Sequence, residues 1–186
     1  MQRISRDSVG LPCQACALAR PALVFQRRTG TLARLCTVSV LLLESSVALQ
    51  RIDIEKRFPF SVEKLFAHLS EHENLAELFK PAKVSRLRNG DHDRNGVGSV
   101  RKLRVGPGPS FEETVTTFEE NRLIEYRITR GSPLRNHFGR MQFAADGDGS
   151  RLHYTIEFEG KVPGLAAIIR PVLEQGIRRG LDKLHL

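Results

Sequence analysis

The chain of 186 residues has no tryptophan, two tyrosines and three cysteines. It also has no run of eighteen apolar residues, which excludes a conventional membrane-spanning helix. The cysteines, Cys13, Cys16 and Cys36, all precede residue 47, so we expect no disulfide in the rest of the chain. Cys13 and Cys16 have the CxxC spacing, but a structural zinc ion needs four ligands and no second pair follows.

The sequence lacks the motifs by which nucleotide-binding sites and many hydrolases are recognised. No GxSxG motif, Walker loop or dinucleotide fingerprint occurs, and Gly106-Pro107-Gly108 is held rigid by its proline. His68 and His72 are four residues apart without the HExxH order, and we interpret them as a surface pair. These absences predict a protein without a nucleotide cofactor or a bound metal.

The formal net charge is +8, from 29 basic and 21 acidic residues. About half of this excess lies in residues 1–46, where six arginines face two acidic residues. The remaining basic residues are interspersed with acidic ones and do not form a stripe. This distribution indicates an ordinary basic surface, and we expect no nucleic-acid partner.

Residues 1–46 differ in composition from the rest and are predicted to be a separate N-terminal extension. Three arginines precede the apolar run 35–43, and this pattern resembles a secretory signal peptide. The alternatives are an amphipathic membrane anchor, or an extension that is disordered or not part of the native product. We expect a cytoplasmic protein, or an exported one if residues 27–48 act as a signal peptide.

From residue 47 onward the hydrophobic pattern predicts one domain. A strand over 49–56 precedes a helix over Val62–Leu69 and a short helix over about 73–79. Alternating apolar residues and intervening turn residues then predict strands at 84–88, 97–105, 111–118, 123–129, 136–143 and 152–158. A long helix follows, in which Pro171 predicts a kink or a separate first turn. The apolar stripe of this helix is Leu165, Ile168, Ile169, Val172, Leu173, Ile177, Leu181 and Leu184.

The short turns between successive strands require antiparallel neighbours, because parallel strands need long crossovers. The predicted fold class is α+β: a curved seven-stranded antiparallel sheet wrapped around a long C-terminal helix, with two short helices after the first strand. A sheet that wraps around one helix often leaves space that side chains do not fill. Such a space is a typical ligand site.

Several stretches between about residues 49 and 184 together form a recognisable pattern. They are Ile52-Asp53-Ile54, Phe58-Pro59-Phe60-Ser61-Val62-Glu63-Lys64-Leu65-Phe66, Gly96-Val97-Gly98, Phe111-Glu112-Glu113-Thr114-Val115, Arg122-Leu123-Ile124-Glu125-Tyr126, Asp148-Gly149-Ser150-Arg151-Leu152 and Val162-Pro163-Gly164. In these stretches the domain resembles the START-like superfamily, SRPBCC, and within it the bacterial polyketide cyclase/dehydrase and lipid transport group. The resemblance implies a helix-grip fold with an internal cavity. It also implies a mouth formed by the loops near 79–81, 106–109 and 131–136 against the long helix.

Residues 47–186 are therefore expected to form a START-like domain that binds a small hydrophobic ligand, either lipid-like or aromatic. The expected cavity residues are Phe79, Arg101, Glu113, Val115, Tyr126, Ile128, His137, Met141, Phe143, Tyr154, Ile156, Ile169 and Leu173. Arg101 and Glu113 have two interpretations, because their strands alternate poorly. They either face the interior, where they must pair or meet a polar ligand group, or are plain surface charges.

His137, Tyr126 and Tyr154 are polar residues that alternation places on the inner face, and they are the candidate catalytic residues. Two functions follow from this placement. The domain sequesters or transfers its ligand, or it is a cyclase or dehydratase in which one of these side chains moves a proton. The lack of an obvious catalytic constellation favours binding. The sequence does not predict the oligomeric state.

Overall fold

The computed structural model describes residues 48–186. The predictions for the three cysteines, the apolar run 35–43 and the N-terminal extension as a whole lie outside the described residues. Within the described part of the chain, no helix is both long and apolar enough to cross a membrane.

The strands of the domain all belong to one antiparallel sheet. They are β1 (Gln50–Phe58), β2 (Ala82–Arg88), β3 (Val100–Val105), β4 (Ser110–Glu119), β5 (Leu123–Arg130), β6 (Leu134–Asp146) and β7 (Gly149–Gly160). Their order across the seven-stranded sheet is β1-β7-β6-β5-β4-β3-β2. From β2 to β7 each strand therefore pairs with the next one in the chain, as short turns require.

The helices lie at the two ends of the domain sequence. After β1 come α1 (Val62–Ser70), a 3-10 turn (His72–Asn74) and α2 (Leu75–Leu78), and the domain ends with α3 (Leu165–Asp182). The predicted α+β helix-grip architecture is confirmed, with strand ends that differ from the predicted ones by a few residues.

One face of the sheet packs against α1 and α3 and forms the core. Side chains of a strand alternate between its two faces, so every second residue of β7 from Leu152 to Phe158 is buried here. α1 adds Leu65, Phe66 and Leu69 at helical spacing. The largest fully buried side chains are Tyr126, Tyr154, Phe158, Ile52, Leu65, Leu69, Leu75, Ile124, Met141, Leu152, Ile156 and Ile177.

Two arginines attach α3 to β1, which is an edge strand of the sheet. Arg170 and Arg178 donate hydrogen bonds to the backbone carbonyls of Arg51 and Asp53, at 3.4 and 3.3 Å. Glu174 lies between the two arginines on the helix and accepts hydrogen bonds from both, at 3.3 and 2.8 Å. These contacts hold the helix along the edge of the sheet.

The structure corrects two predictions for α3. The helix is continuous across Pro171, so a separate first turn is wrong. The apolar stripe also does not face the sheet along its whole length, because Ile168 and Val172 are 69% and 71% exposed while Ile177 is buried. At 3.6 residues per turn, position 168 lies on the opposite side of the helix from position 177.

The prediction that His68 and His72 form a surface pair is wrong for His72, which is 1% exposed. Its Nε2 lies 3.3 Å from the Ser99 hydroxyl, and its Nδ1 has no hydrogen-bond partner among residues 48–186. Burial, together with the positive charges of Arg101 and Arg86, lowers the pKa of His72 to about 3. The 3-10 turn ends the helical spacing after α1 and directs this side chain inward.

Candidate functional site

Arg101 and Glu113 form a buried ion pair on the inner face of the sheet. They stand directly opposite each other on β3 and β4, and Arg101 Nε and Nη2 lie 2.8 and 2.7 Å from Glu113 Oε2. The two residues are 2% and 6% exposed, so the interpretation as surface charges is wrong. Burial alone would lower the pKa of Arg101, but the negative charge and the hydrogen bond of Glu113, together with the neighbouring Tyr126 and Tyr154, outweigh burial and raise that pKa.

Two buried tyrosines continue this polar cluster across the sheet. The Arg101 guanidinium lies 4.4 Å from the centre of the Tyr126 ring, within the range of a cation–π contact. The Tyr126 hydroxyl in turn contacts the Tyr154 hydroxyl. Burial raises the pKa of both hydroxyls, so both carry their protons at neutral pH.

A glycine allows the two hydroxyls to meet. Gly139 of β6 pairs with Tyr126 on one side and with Ile156 on the other. A Cβ atom at Gly139 would lie 2.2 Å from Cζ of Tyr126, so the tyrosine ring crosses β6 directly over the glycine backbone. In the sequence Gly139 alternates with His137 and Met141, so it falls on the same inner face. A glycine inside a strand was the available signal, because it often marks such a close approach.

His137 is buried beside Tyr126, with 5.6 Å between the ring centres. Burial lowers the pKa of His137, so the imidazole is neutral. Its Nδ1 accepts a hydrogen bond from the backbone N–H of Ile128 at 3.3 Å. The single ring proton therefore lies on Nε2, and this tautomer can donate a hydrogen bond but has no free lone pair with which to act as a base.

The other expected cavity residues fall into two groups. Val115, Met141, Phe143 and Ile156 are buried in the core. Phe79, Ile169 and Leu173 are partly buried and pack against that core, and Ile128 is also half-buried. The structure thus places the buried members on the inner face of one sheet. Of the partly buried members, Phe79 follows α2, Ile169 and Leu173 lie on α3, and Ile128 lies on β5.

Two surface pockets lie away from this cluster. One of about 660 Å³ is formed by α1, the β2–β3 loop and the β4–β5 turn, and one of about 130 Å³ lies between α1, α2 and the end of α3. Neither is lined by a residue of the expected cavity. In residues 48–186, no three His, Cys, Asp or Glu side chains are grouped so as to hold a metal ion.

A network of charged side chains borders the larger pocket. Arg86 Nη2 donates to Glu71 Oε1 and Asn95 Oδ1, both at 2.6 Å, and Arg94 reaches Glu71 at 3.2 Å. Burial would raise the pKa of Glu71, but side-chain hydrogen bonds with Glu73, Asn95, Arg94 and Arg86 together outweigh burial and lower the pKa to about 2. The network ties the β2–β3 loop to the end of α1, which is a structural role.

Residues 50–185 match the sequence profile of the family described as polyketide cyclase / dehydrase and lipid transport. The chain belongs to this family. No curated protein matches this chain by sequence. Among solved structures, the chain is similar to a norcoclaurine synthase mutant from Thalictrum flavum in complex with a transition-state analogue. The match has a TM-score of 0.56 and 16% identity, and it covers 74% of this chain and 91% of that chain.

An aromatase/cyclase, Zhui, from a Streptomyces species, matches with a TM-score of 0.56 and 18% identity. That alignment covers 73% of this chain and 88% of the cyclase. At these identities the two structures establish the fold of the family member and nothing about its chemistry.

Proposed function

We propose that the protein binds a small, mainly apolar ligand between α3 and the inner face of the sheet, for sequestration or transfer. The observation that carries this proposal is the buried polar cluster of Arg101, Glu113, Tyr126 and Tyr154 on a mainly apolar face. A buried ion pair is weak support for stability, because apolar side chains of similar volume often serve equally well. Binding of a ligand with a polar end would explain why such a cluster is present in the core.

The charges of the cluster suggest which polar group it receives. Arg101 and Glu113 neutralise each other, and both contacts use the same oxygen, Oε2 of Glu113. A ligand carboxylate would compete with Glu113 for Arg101, whereas a hydroxyl or carbonyl group can bond to the tyrosine hydroxyls without a net charge. We therefore propose an aromatic or lipid-like ligand with an uncharged polar end. The half-buried Ile128, Ile169 and Leu173 would supply its apolar walls.

Native mass spectrometry of the freshly purified full chain tests this proposal. We expect a co-purifying hydrophobic molecule, or one-to-one binding of added β-naphthol as a probe. In the double variant Tyr126→Phe/Tyr154→Phe the affinity for β-naphthol is expected to fall about tenfold, while Thr117→Val on the outer face leaves it unchanged. A protein that binds no hydrophobic molecule at one saturable site would contradict the proposal.

The second candidate function is a cyclase or dehydratase. It is favoured by the contact between two protonated tyrosine hydroxyls beside the Arg101 guanidinium. One tyrosine would donate its proton to the leaving hydroxyl group, and Glu113 would take the proton from the carbon next to the carbonyl with Oε1, the oxygen that Arg101 does not contact. His137 would donate a hydrogen bond in this scheme. Dehydration of an aromatic β-hydroxyketone to the unsaturated ketone and water is a suitable assay. Turnover that disappears in Tyr126→Phe, while this variant still binds β-naphthol, would favour the enzyme. A wild-type protein without turnover in this assay would favour binding alone.

We also propose that residues 47–186 are the ligand-binding domain of a cytoplasmic protein. The domain has no cysteine, so it can fold in a reducing compartment. N-terminal sequencing of the natural product tests the role of residues 1–46, because loss of these residues together with export of the protein would indicate a signal peptide.

A further inference from the structure

The start of α3 and the loop before it expose three large apolar side chains to water. Val162, Ile168 and Val172 are 60%, 69% and 71% exposed, more than any other large hydrophobic residue in the described part of the chain. Ile168 and Val172 are one helical turn apart and lie on the same face of α3. This outer face is opposite the one that packs on the sheet.

Basic residues continue the same face toward the end of the helix. Arg179 lies seven residues after Val172 and Lys183 four residues after Arg179, so both are close to the line of the apolar pair. Between residues 161 and 183 there are five basic and two acidic residues. The acidic residues are already neutralised, because Glu174 binds Arg170 and Arg178, and Asp182 binds Lys56. The free charge on this face is therefore positive.

We propose that this outer face of α3 docks on an anionic lipid surface. Ile168, Val172 and Val162 would enter the headgroup region, and the basic residues around them would bind lipid phosphates. A second copy of the chain is disfavoured as the occupant, because three side chains offer far less than the roughly 800 Å² that each partner buries in a stable interface. A two-fold contact would also bring like charges together.

The docking face lies next to one end of the proposed ligand site. The loop that carries Val162 is hydrogen-bonded to the β5–β6 loop, from Lys161 N–H to the Pro133 carbonyl at 2.9 Å. Docking would bring this end of the domain to the lipid and supply the ligand from it. The docking itself rests on the exposed residues alone and does not require the proposed function.

Co-sedimentation of the full chain with vesicles tests the docking face. With phosphatidylcholine vesicles that contain phosphatidylglycerol, we expect Ile168→Gln/Val172→Gln to lower the partition coefficient at least about tenfold. Arg179→Gln/Lys183→Gln is expected to lower it about tenfold on these vesicles and to have little effect on pure phosphatidylcholine. The matched control is Leu87→Gln/Val97→Gln, because these residues are 51% and 43% exposed on β2 and the β2–β3 loop, away from α3; the control is expected to bind like the wild type.

Equal binding by the wild type and Ile168→Gln/Val172→Gln would overturn the docking proposal, and so would an equal loss in the control. A wild-type dimer that this α3 variant converts to a monomer, without a change in vesicle binding, would also overturn it in favour of a contact between copies. Binding of β-naphthol by the variant in buffer separates the two proposals. We expect the affinity of the variant for β-naphthol to equal that of the wild type. If neither the wild type nor any variant binds β-naphthol, this result would count against the ligand site and not against the docking face.

Discussion

Breaking the Arg101–Glu113 ion pair from one side is expected to destabilise the fold strongly. In Arg101→Leu the Glu113 carboxylate stays on the inner face, where both residues are nearly fully buried, without a cation and largely without water. Removing one partner of a buried pair costs about 3–5 kcal/mol, a large part of the stability of an ordinary domain. At about 2–4 °C per kcal/mol, the expected fall in melting temperature is about 6–20 °C.

The chain contains a matched control for this experiment. Arg140 and Glu125 also stand directly opposite each other on antiparallel strands, and Arg140 Nε lies 3.1 Å from a Glu125 carboxylate oxygen. This pair is on the outer face, where the Arg140 and Glu125 side chains are 41% and 17% exposed. Solvent reaches the pair from the Arg140 side, and Glu125 keeps the hydrogen bond from the Thr117 hydroxyl when the arginine is removed. Arg140→Leu is therefore expected to cost no more than about 1 kcal/mol.

Urea denaturation at neutral pH, followed by circular dichroism, measures both losses as changes in the free energy of unfolding. The double variant Arg101→Leu/Glu113→Leu completes the test, because it leaves no unpaired charge and is expected to recover most of the stability. A loss for Arg101→Leu that is no larger than the loss for Arg140→Leu would refute the prediction. A double variant that is no more stable than Arg101→Leu alone would refute it as well.

Three further predictions concern the residues around this pair. Gly139→Ala is expected to lower the free energy of unfolding, measured in urea, by about 1–3 kcal/mol, because the new Cβ atom overlaps the Tyr126 ring. The same substitution is expected to cost clearly less in a Tyr126→Ala background. Equal costs in the two backgrounds would contradict the overlap. Burial raises the pKa of Tyr126 and Tyr154, so their contribution to stability is complete below about pH 10 and is lost as the pH rises further. Tyrosinate absorbance is then expected to appear together with unfolding, and ionisation of either tyrosine in the folded protein would refute this. The pKa of His72 falls to about 3, so the folded state disfavours its proton and stability decreases as the pH drops from about 6.5 toward 3. His72→Gln is expected to reduce that slope by up to about 1.4 kcal/mol per pH unit, and parallel wild-type and variant curves would contradict it.

Most of the fold was predictable because its signals are local. Alternating apolar residues on β5 and β7 mark one buried face, and the short turns between strands fix their antiparallel order. The helical spacing of Leu65, Phe66 and Leu69 likewise identified α1 and its buried side. These patterns depend only on the geometry of a single element.

Parts of the site depend on contacts between elements, and there the sequence was ambiguous or misleading. The orientation of Arg101 and Glu113 follows from the register of β3 and β4, which their own poor alternation did not determine. Ile168 was assigned to the apolar stripe of α3, yet only the position of α3 against the sheet shows that it faces water. His72 became buried because a 3-10 turn follows α1, and turns of this kind leave little trace in the hydrophobic pattern.

In the proposed complex, a polar group of the ligand meets the hydroxyls of Tyr126 and Tyr154. The chain has two tyrosines and no tryptophan, so labelling its tyrosine rings with carbon-13 gives signals from this cluster alone. NMR spectra recorded during a titration with β-naphthol, and assigned through the two Tyr→Phe variants, are the most direct test. We predict that both tyrosine signals shift together and saturate at one equivalent. Binding of the probe that leaves both signals in place, or no saturable binding at all, would contradict the account.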